Sequence, residues 1–332
     1  SGDKREALTD YTTAKTGAST NTLTSDGSWT VVASDLTTAL GAGVRLVGDL
    51  TVTTISSEAS ALTAYTDANT GANTITLNAS DSNWSIVAAT LDTALTAKVL
   101  LAGDLTVTNI SAEGAALTDY TTAKTGATTN TLNATDTNWS VAASDLTTAL
   151  GAGAKLAGNL TVTAISTETN ASTTYSKTNT GASNVILTAS DGTWSVAASA
   201  LDSDLTNDIK YTDALTVTGI STETNASTTY SKTNTGASSV TLAASDGTWS
   251  IETGALDTDL GQDFKYLGAL TVTGIASGDK PAALTDYTTA KTGATTNTLT
   301  SNGTWSIAKA TLDTALTAGV RLAGDLTISS GI

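Results

Sequence analysis

The sequence is dominated by one short motif, a polar turn followed by tryptophan, whose first copy is Ser25-Asp26-Gly27-Ser28-Trp29. The six tryptophans of the chain stand at positions 29, 84, 139, 194, 249 and 305, so their spacing is 55 residues four times and then 56. A fixed period of this length indicates a repeat protein in which each unit buries its apolar face on its neighbours. The period therefore overrides the two domains that 332 residues would otherwise suggest.

The period divides the chain into six repeats that form one continuous array: 1–56, 57–111, 112–166, 167–221, 222–276 and 277–332. Aromatic residues make up only 5% of the chain, which predicts a thin core spread along the array. Repeats 1 and 6 share the opening Ser-Gly-Asp-Lys and a turn that is one residue shorter than elsewhere. The pattern thus begins again after five repeats.

Charge and composition exclude several classes of function. The formal net charge of −16 leaves no basic stripe for nucleic acid, whose binding depends on clustered cations. No apolar run approaches the roughly 20 residues of a membrane helix, so membrane insertion is not expected. There is no cysteine and hence no disulfide framework. Because the chain opens inside the repeat pattern without an initiator methionine, we expect a processed product or an excised piece.

The first half of each repeat predicts a short helix and then two strands. In repeat 1 the helix spans Glu6–Gly17, with Leu8 and Tyr11 at helical spacing and Gly17 as a left-handed residue after the last turn. In repeat 2 the alternation around Leu77 and around Trp84 predicts strands on either side of the turn. We expect these strands to form a hairpin.

The predicted hairpin pairs Leu77 with Trp84 and Ile75 with Ile86 on one face. Repeats 1 and 6 shorten the turn by one residue, yet the same Leu–Trp pairing can be kept across it. A turn whose length varies while the pairing is retained is typical of a real structural turn.

The second half of each repeat predicts another short helix and another strand. Ser34 in repeat 1 and Thr90 in repeat 2 are candidate N-caps, followed by apolar residues at i, i+3 and i+4. The strand Leu46–Ile55 then places Leu50 and Val52 on one face and threonines on the other.

Strands separated by helical connections favour parallel pairing between successive units. The sequence therefore predicts an elongated, β-rich α/β solenoid of six repeats of about 55 residues with parallel strand stacking. The alternative is a six-bladed β-propeller, since each repeat is long enough for a four-stranded blade. The two helical segments in every repeat count against that alternative.

Catalysis finds little support in the residues. The chain lacks histidine and cysteine, which excludes the usual triads, thiol nucleophiles and imidazole metal sites. Almost every aspartate is a repeated position, whereas an enzyme normally assembles one singular site. We therefore expect a protein that is not an enzyme and has no cofactor.

Calcium is the one metal that the sequence suggests. The turn residues could supply oxygen ligands, particularly where aspartate and asparagine are separated by one residue: Asp26, Asp81, Asn83, Asp136, Asn138, Asp191 and Asp246. Calcium needs six to eight oxygens, and one turn supplies only a few. Because Asp and Gly also favour tight turns on their own, turn formation is the preferred interpretation.

Threonine rows offer a second candidate surface. A Thr-x-Thr pair recurs in the last strand of the repeats, for example Thr106 and Thr108. Regular threonine rows on a flat parallel sheet resemble the ice-binding face of antifreeze solenoids. Threonine is also favoured on the solvated face of any strand. The tryptophans could stack on sugars, but one large aromatic per repeat is more typical of a core residue.

Over the whole of residues 1–332 the repeats resemble the Thr/Ala/Asp-rich tandem repeats of very large bacterial, notably cyanobacterial, extracellular surface proteins. The features that carry the resemblance are the strand Leu50–Ile55, the helix Ala33–Leu40 and the threonine-rich loops that end in glycine. The resemblance implies a secreted adhesin, stalk, surface-layer or filament component and transfers no functional residues.

We therefore expect an extracellular or cell-surface structural or adhesive repeat protein. Its expected partners are further copies of itself or neighbouring repeats of a longer array. The alternative is a module that binds ice, glycan or calcium on the surface of the solenoid.

Overall fold

The computed structural model describes residues 2–25 and 27–329. Over these residues the chain is a β-rich α/β fold whose strands pair in parallel ladders. It divides into two compact units, the first formed by Ser1–Val162 with Tyr175–Val185 and the second by Thr163–Thr174 with Ile186–Ile332. The predicted β-rich α/β fold with parallel strand stacking is confirmed.

Short helices and strands follow one another in the same order in every repeat. The helices are α1 (Gly2–Asp10), α2 (Thr13–Thr16), α3 (Ala33–Gly41), α4 (Glu58–Ala64), α5 (Asp67–Thr70), α6 (Ala88–Thr96), α7 (Glu113–Asp119), α8 (Thr122–Thr125), α9 (Ala143–Gly151), α10 (Ala171–Thr174), α11 (Lys177–Thr180), α12 (Ala198–Thr206), α13 (Ala226–Thr229), α14 (Lys232–Thr235), α15 (Thr253–Gly261), α16 (Lys280–Asp286), α17 (Thr289–Thr292) and α18 (Lys309–Thr317). The strands are β1 (Asn21–Thr24), β2 (Trp29–Val32), β3 (Val44–Val47), β4 (Asp49–Ile55), β5 (Thr74–Val87), β6 (Val99–Ile110), β7 (Thr129–Ala142), β8 (Ala154–Ile165), β9 (Asn184–Ala189), β10 (Thr193–Ala197), β11 (Ile209–Tyr211), β12 (Ala214–Ile220), β13 (Ser239–Glu252), β14 (Phe264–Ile275), β15 (Thr296–Ser301), β16 (Trp305–Ala308), β17 (Val320–Ala323) and β18 (Leu326–Ser329).

Each repeat contains four strand segments, which we label A to D. In repeat 2 they are residues 74–78, 83–87, 99–102 and 104–110. Segments A and B lie on either side of the Asp turn, and C and D lie on either side of a bend at Gly103. Within a repeat, A pairs with C and B pairs with D.

Segment D of one repeat also pairs with segment A of the next repeat, and this pairing joins the repeats of the first unit. Residues 49–52 lie opposite residues 74–77, and residues 104–107 lie opposite residues 129–132. Segment D is therefore flanked by B of its own repeat and by A of the following repeat.

The second unit uses the same scheme. Segments B and D pair at 193–197 with 214–218 and at 248–252 with 269–273. Segment D then pairs with the next segment A at 214–217 with 239–242 and at 269–272 with 296–299. The register is thus repeated in both units.

The predicted hairpin around the Asp turn is wrong. Strand β5 passes through the turn without reversing, so that Leu77 lies opposite Leu101 and Trp84 lies opposite Leu105 in parallel ladders. The alternation of apolar residues is the same for a strand that reverses and for one that only bends. The helix between B and C returns the chain so that it re-enters the sheet in the same direction.

The helix predictions are partly confirmed. The segment Glu6–Gly17 forms two helices, α1 and α2, because Thr12 between them is extended at φ −75° and ψ 154°. Gly17 is left-handed at φ 76°, as predicted. The predicted N-caps at Ser34 and Thr90 are wrong, since α3 and α6 begin directly after their B segments, with Val32 and Val87 as N-caps.

The core of each repeat lies between the strands and the longer helix that follows segment B. Leu50 and Val52 of β4 are buried, as is Leu36 of α3, while the intervening threonines are half-buried. The predicted apolar face of the last strand is therefore confirmed.

The described strands pair in parallel, and each ladder combines strands of two successive repeats. The blades of a propeller are antiparallel sheets, so these ladders differ from the propeller alternative. Across residues 2–25 and 27–329, every helix falls short of the length and hydrophobicity that a membrane span requires.

Candidate functional site: the junction between repeats

The junction between consecutive repeats has a buried, largely apolar centre. Where segment D of repeat 2 meets segment A of repeat 3, Leu105 lies opposite Asn130 and Val107 lies opposite Leu132. All four side chains are almost completely buried. Burial of apolar strand residues against the neighbouring repeat is the main stabilising term in such arrays.

A tyrosine closes the helical side of each junction. The hydroxyl of Tyr120 in repeat 3 donates to Oδ1 of Asp92 in helix α6 of repeat 2, at 2.8 Å. Tyr230 donates to Asp202 at 2.9 Å and Tyr287 to Asp257 at 2.7 Å. At the other junctions the tyrosine contacts a threonine hydroxyl and a backbone carbonyl of the preceding repeat: Tyr65 with Thr37 and Ala33, and Tyr175 with Thr147 and Ala143.

The phenols that donate to an aspartate are held in their neutral form. Burial, and then the hydrogen bond to Asp202, raises the pKa of Tyr230 to about 12. The pKa of Tyr120 and that of Tyr287 are also raised, first by burial and then by the neighbouring aspartate. A phenol that donates to a carboxylate cannot ionise without placing two negative charges side by side.

Polar contacts at the edges of the junction repeat as well. The backbone N–H of Thr128 donates to the carbonyl of Gly103 at 2.7 Å, and the hydroxyl of Thr129 donates to Asp104 at 2.8 Å. Lys155 of segment C donates to the carbonyl of Thr178 in helix α11 at 3.1 Å. A cation at these carbonyls complements the negative end of the helix.

The tryptophans are core residues that join the two halves of each repeat. The indole Nε1 of Trp84 donates to the carbonyl of Ala102 at 3.0 Å, 18 residues further along. The same bond recurs 18 residues after the tryptophan at Trp29, Trp139, Trp249 and Trp305. Each of these rings is nearly fully buried, so they do not form an exposed sugar-binding stripe.

Repeat 4 departs from this pattern. The buried Nε1 of Trp194 has no hydrogen-bond partner, although its ring packs edge-on against Tyr211 with centroids 4.9 Å apart. Here Asp213, at φ 68°, occupies the position of the glycine bend, and the strands are interrupted at the Asp turn, between β9 and β10, and at the bend, between β11 and β12. The hydroxyl of Tyr211 donates to Asp204, as that of Tyr266 does to Asp259 in repeat 5, and burial raises the pKa of both tyrosines.

In repeats 2 to 5 a glutamate at or just before the first helix contacts the strand that follows the Asp turn, and the sequence did not reveal this contact. Oε2 of Glu58 accepts from the backbone N–H of Ser85 at 2.7 Å, and Glu113, Glu168 and Glu223 do the same in repeats 3 to 5. In repeats 1 and 6 a lysine replaces this glutamate. Lys4 and Lys280 donate to the turn carbonyls and lie 5.7 and 5.5 Å from the ring centroids of the neighbouring tryptophans.

The candidate calcium ligands are engaged in their own turns. Asp81 and Asp136 accept from the N–H groups of Asn83 and Asn138 at 3.0 Å, while Asp191 and Asp246 accept in the same way from the threonine two residues on. This bond lowers the pKa of Asp246. Within residues 2–25 and 27–329, no three acidic side chains converge as a metal site would require. Asp26 lies outside the described residues.

The threonine rows exist in three-dimensional register. Thr30, Thr51 and Thr76 lie opposite one another on three adjacent parallel strands. Adjacent strands are about 4.8 Å apart, so the hydroxyls form a short regular row. In repeats 2 and 3 the equivalent row is Ser85, Thr106 and Thr131.

Comparisons with protein-family models, with curated proteins and with solved structures find no match to this chain.

Proposed function

We propose that the chain is an extracellular structural or adhesive repeat protein, a component of a stalk, filament or surface layer. The observation that carries this proposal is the junction itself. The same register, a buried Val–Leu pair and a tyrosine that contacts the preceding repeat recur at these junctions.

In this proposal the mechanism is mechanical. The repeats continue as an elongated solenoid, and load passes from one repeat to the next through parallel hydrogen-bonded ladders and buried side chains. The stability of such arrays is the sum of the stabilities of the single repeats and of the interfaces between neighbours. An array can therefore be lengthened by further repeats that use the same interface. The acidic, threonine-rich surface keeps such an array soluble.

The proposed location outside the cell rests on the resemblance to bacterial surface-protein repeats. The absence of cysteine and histidine from the sequence agrees with a protein that presents a surface and carries no singular reactive centre. The chain is proposed to have neither a cofactor nor an enzymatic activity.

Small-angle X-ray scattering of the isolated monomer tests the proposal. An elongated solenoid gives a cross-section that stays constant along a length much greater than its width. A compact globule or a flexible string of separate repeats would contradict the proposed mechanical role. Electron microscopy of the same sample distinguishes rods from closed discs.

The threonine rows support a second candidate function, binding of ice or of a glycan. Thr30, Thr51 and Thr76 form a regular row of hydroxyls. We expect thermal hysteresis if the rows bind ice, and loss of it in a Thr51→Val, Thr76→Val variant. A solution with no hysteresis would remove ice from consideration.

A further inference from the structure

The Asp turn of repeat 6 differs from the other five turns in its first side chain. Aspartate stands at this position in repeats 1 to 5 of the sequence: Asp26, Asp81, Asp136, Asp191 and Asp246. Repeat 6 has the amide Asn302 instead, and Gly303 follows it. Asn302 is the only asparagine of the chain that precedes a glycine. An Asn-Gly pair thus replaces an otherwise constant aspartate in this one turn.

An asparagine before a glycine is chemically labile, because the backbone nitrogen of the glycine can attack the side-chain carbonyl carbon of the asparagine. Glycine carries no Cβ, so its nitrogen approaches that carbon with little steric hindrance. In a folded protein the reaction also needs a side-chain amide and a backbone N–H that other groups do not hold. The turn of repeat 6 meets both conditions.

The two reacting groups are accessible. The side chain of Asn302 is exposed and has no hydrogen-bond partner among the described residues. The backbone N–H of Gly303 likewise makes no hydrogen bond within residues 2–25 and 27–329. Gly303 is left-handed at φ 80°, and no described atom beyond the adjoining residues lies within 4 Å of the position that a Cβ would take.

The carbonyl groups of the same turn are bound. Oγ of Ser301 donates to the carbonyl of Gly303 at 3.1 Å. Nζ of Lys280, in the first turn of α16, donates to the carbonyl of Thr304 at 2.9 Å. These bonds hold the turn and leave the amide of Asn302 and the N–H of Gly303 available.

The asparagines of the longer turns lack these conditions. Asn83 and Asn138 are also exposed, but their side-chain amides donate to the carbonyls of Asp81 and Asp136 at 2.8 and 2.7 Å. Each of the two is followed by a bulky tryptophan. The turn of repeat 6 is therefore distinguished by its structure as well as by its sequence.

We propose that Asn302 is a modification site, at which the side-chain amide is converted without an enzyme into a carboxylate that pairs with Lys280. In the first step the nitrogen of Gly303, having lost its proton, bonds to Cγ of Asn302, and the Cγ–Nδ2 bond breaks with release of ammonia. In the second step water adds to one carbonyl carbon of the resulting succinimide ring, and the ring C–N bond at that carbon breaks. Water is the only co-reactant.

Both products of ring opening fit the fold. Cleavage at Cγ gives aspartate, the residue that the other five repeats have at this position. Cleavage at the backbone carbonyl gives isoaspartate, which lengthens the backbone by one carbon atom. The turns of repeats 2 to 5 are longer by a whole residue, yet Trp84 lies opposite Leu105 just as Trp305 lies opposite Leu326. A longer backbone at the turn is therefore compatible with the pairing of segments B and D.

The new negative charge forms beside a cation. Nζ of Lys280 donates to the carbonyls of Gly303 and Thr304 at 3.5 and 2.9 Å, so the ammonium lies against the turn that gains the carboxylate. Opposite charges at such separations attract one another. Repeat 1 already has this combination in its sequence, as Lys4 and Asp26. The inference goes beyond the proposed mechanical function and does not depend on it, because the reaction needs only one folded repeat.

Peptide mass spectrometry of the full chain after incubation at neutral pH tests the site. Trypsin releases residues 292–309 as one peptide that contains Asn297 and Asn302. This peptide should lose the mass of one ammonia and gain that of one water, and fragmentation should place the change at Asn302. Conversion should be faster at higher pH, because the attacking nitrogen must lose its proton. Asn297 is the control in the same peptide and should keep its amide, since it is buried and donates to the carbonyl of Tyr287.

A variant and an unfolded sample make the test decisive. Asn302→Gln keeps an exposed amide but would need a six-membered ring, so its peptide should keep its mass. If Asn302 keeps its amide in the folded chain but loses it in the chain unfolded by guanidinium chloride, the folded turn prevents the reaction and the proposal is overturned. Equal conversion of Asn297 or Asn138 in the folded chain would overturn it too, because the structure of the turn would then not be the cause.

The pairing with Lys280 is tested on Asn302→Asp, alone and combined with Lys280→Gln. An NMR titration should give the new carboxyl a lower pKa in the single variant than in the double variant, since a nearby ammonium favours the ionised form. Combination with Lys280→Arg should preserve the low value. The same pKa in all three proteins would overturn the pairing. The scattering test of the monomer is independent of these measurements, so a failure here is distinguishable from a failure of the mechanical function.

Discussion

The bend between segments C and D offers a matched pair of substitutions. Gly103 in repeat 2 and Gly48 in repeat 1 have nearly the same backbone, with φ 104° and 109°. An alanine Cβ at Gly103 would lie well under 3.0 Å from the carbonyl oxygen of Ser82, whereas at Gly48 the equivalent carbonyl, that of Gly27, would be 3.9 Å away. The shortened turn of repeat 1 provides this room.

The expected losses of stability have two separate physical causes. Both substitutions force alanine into a positive-φ conformation, at a cost of about 1–3 kcal/mol. Only Gly103→Ala adds a clash with backbone that is fixed by the ladder pairing Asn83 with Asp104. Overpacking of this kind costs a further ~1–3 kcal/mol. We therefore expect Gly103→Ala to lose about 1–3 kcal/mol more than Gly48→Ala.

Urea unfolding followed by tryptophan fluorescence and circular dichroism measures the difference. Hydrogen exchange at residues 83–87 and 104–108 shows whether the loss is local, as expected for an array stabilised by neighbouring repeats. Gly324→Ala is a second control, because the added Cβ would meet no atom within 4 Å. Equal losses at Gly103 and Gly48 would refute the close approach as the cause.

Four further outcomes are expected. Asp213→Gly should stabilise repeat 4 by about 1 kcal/mol, because it lets the buried, unpaired Nε1 of Trp194 form a hydrogen bond. The new bond should change the NMR shift and the exchange rate of the indole N–H, and an unchanged indole signal would contradict this. Tyr120→Phe should lower the free energy of unfolding by about 1–2 kcal/mol, because the hydrogen bond to Asp92 is lost. Tyr11→Phe is the control and should leave the stability of the monomer unchanged; thermal melting of both variants measures the difference. Tyr120, Tyr230 and Tyr287 have folded pKa values above the unfolded value of about 10, so their contribution to stability is complete below that pH and declines as the pH rises toward 12; a urea midpoint that stays constant from pH 8 to 11.5 would oppose this. Calcium and chelator should give the same melting temperature, because the turn carboxylates already accept backbone N–H groups, and a shift of several degrees would reinstate a metal site.

The direction of the strands illustrates the limit of the sequence. Leu77 and Trp84 alternate with polar residues in a way that fits both a hairpin and a bent strand in a parallel sheet. The choice depends on whether the chain returns through a turn or through a helix, and α6 decides it. Residues about 21 to 24 positions apart then become neighbours.

The contacts at the junction were also only partly predictable from the sequence. The tyrosines were predicted only as members of a helical stripe, yet Tyr120 reaches Asp92, 28 residues earlier. The pair recurs as Tyr230 with Asp202, so a fixed offset between the two residue types was a usable signal. Glu58 and Ser85 form another such pair at an offset of 27, which no local pattern indicates.

By itself the sequence determined the repeat period, the buried face of each strand and the left-handed glycines after the short helices, because these depend on local alternation and local backbone preference. The tertiary structure alone decided which strands pair, in which direction and with which repeat. Strands pair through backbone N–H and C=O groups, which are the same whatever the side chains. Which neighbour covers an edge is a property of the assembled ladder, and no single repeat encodes it.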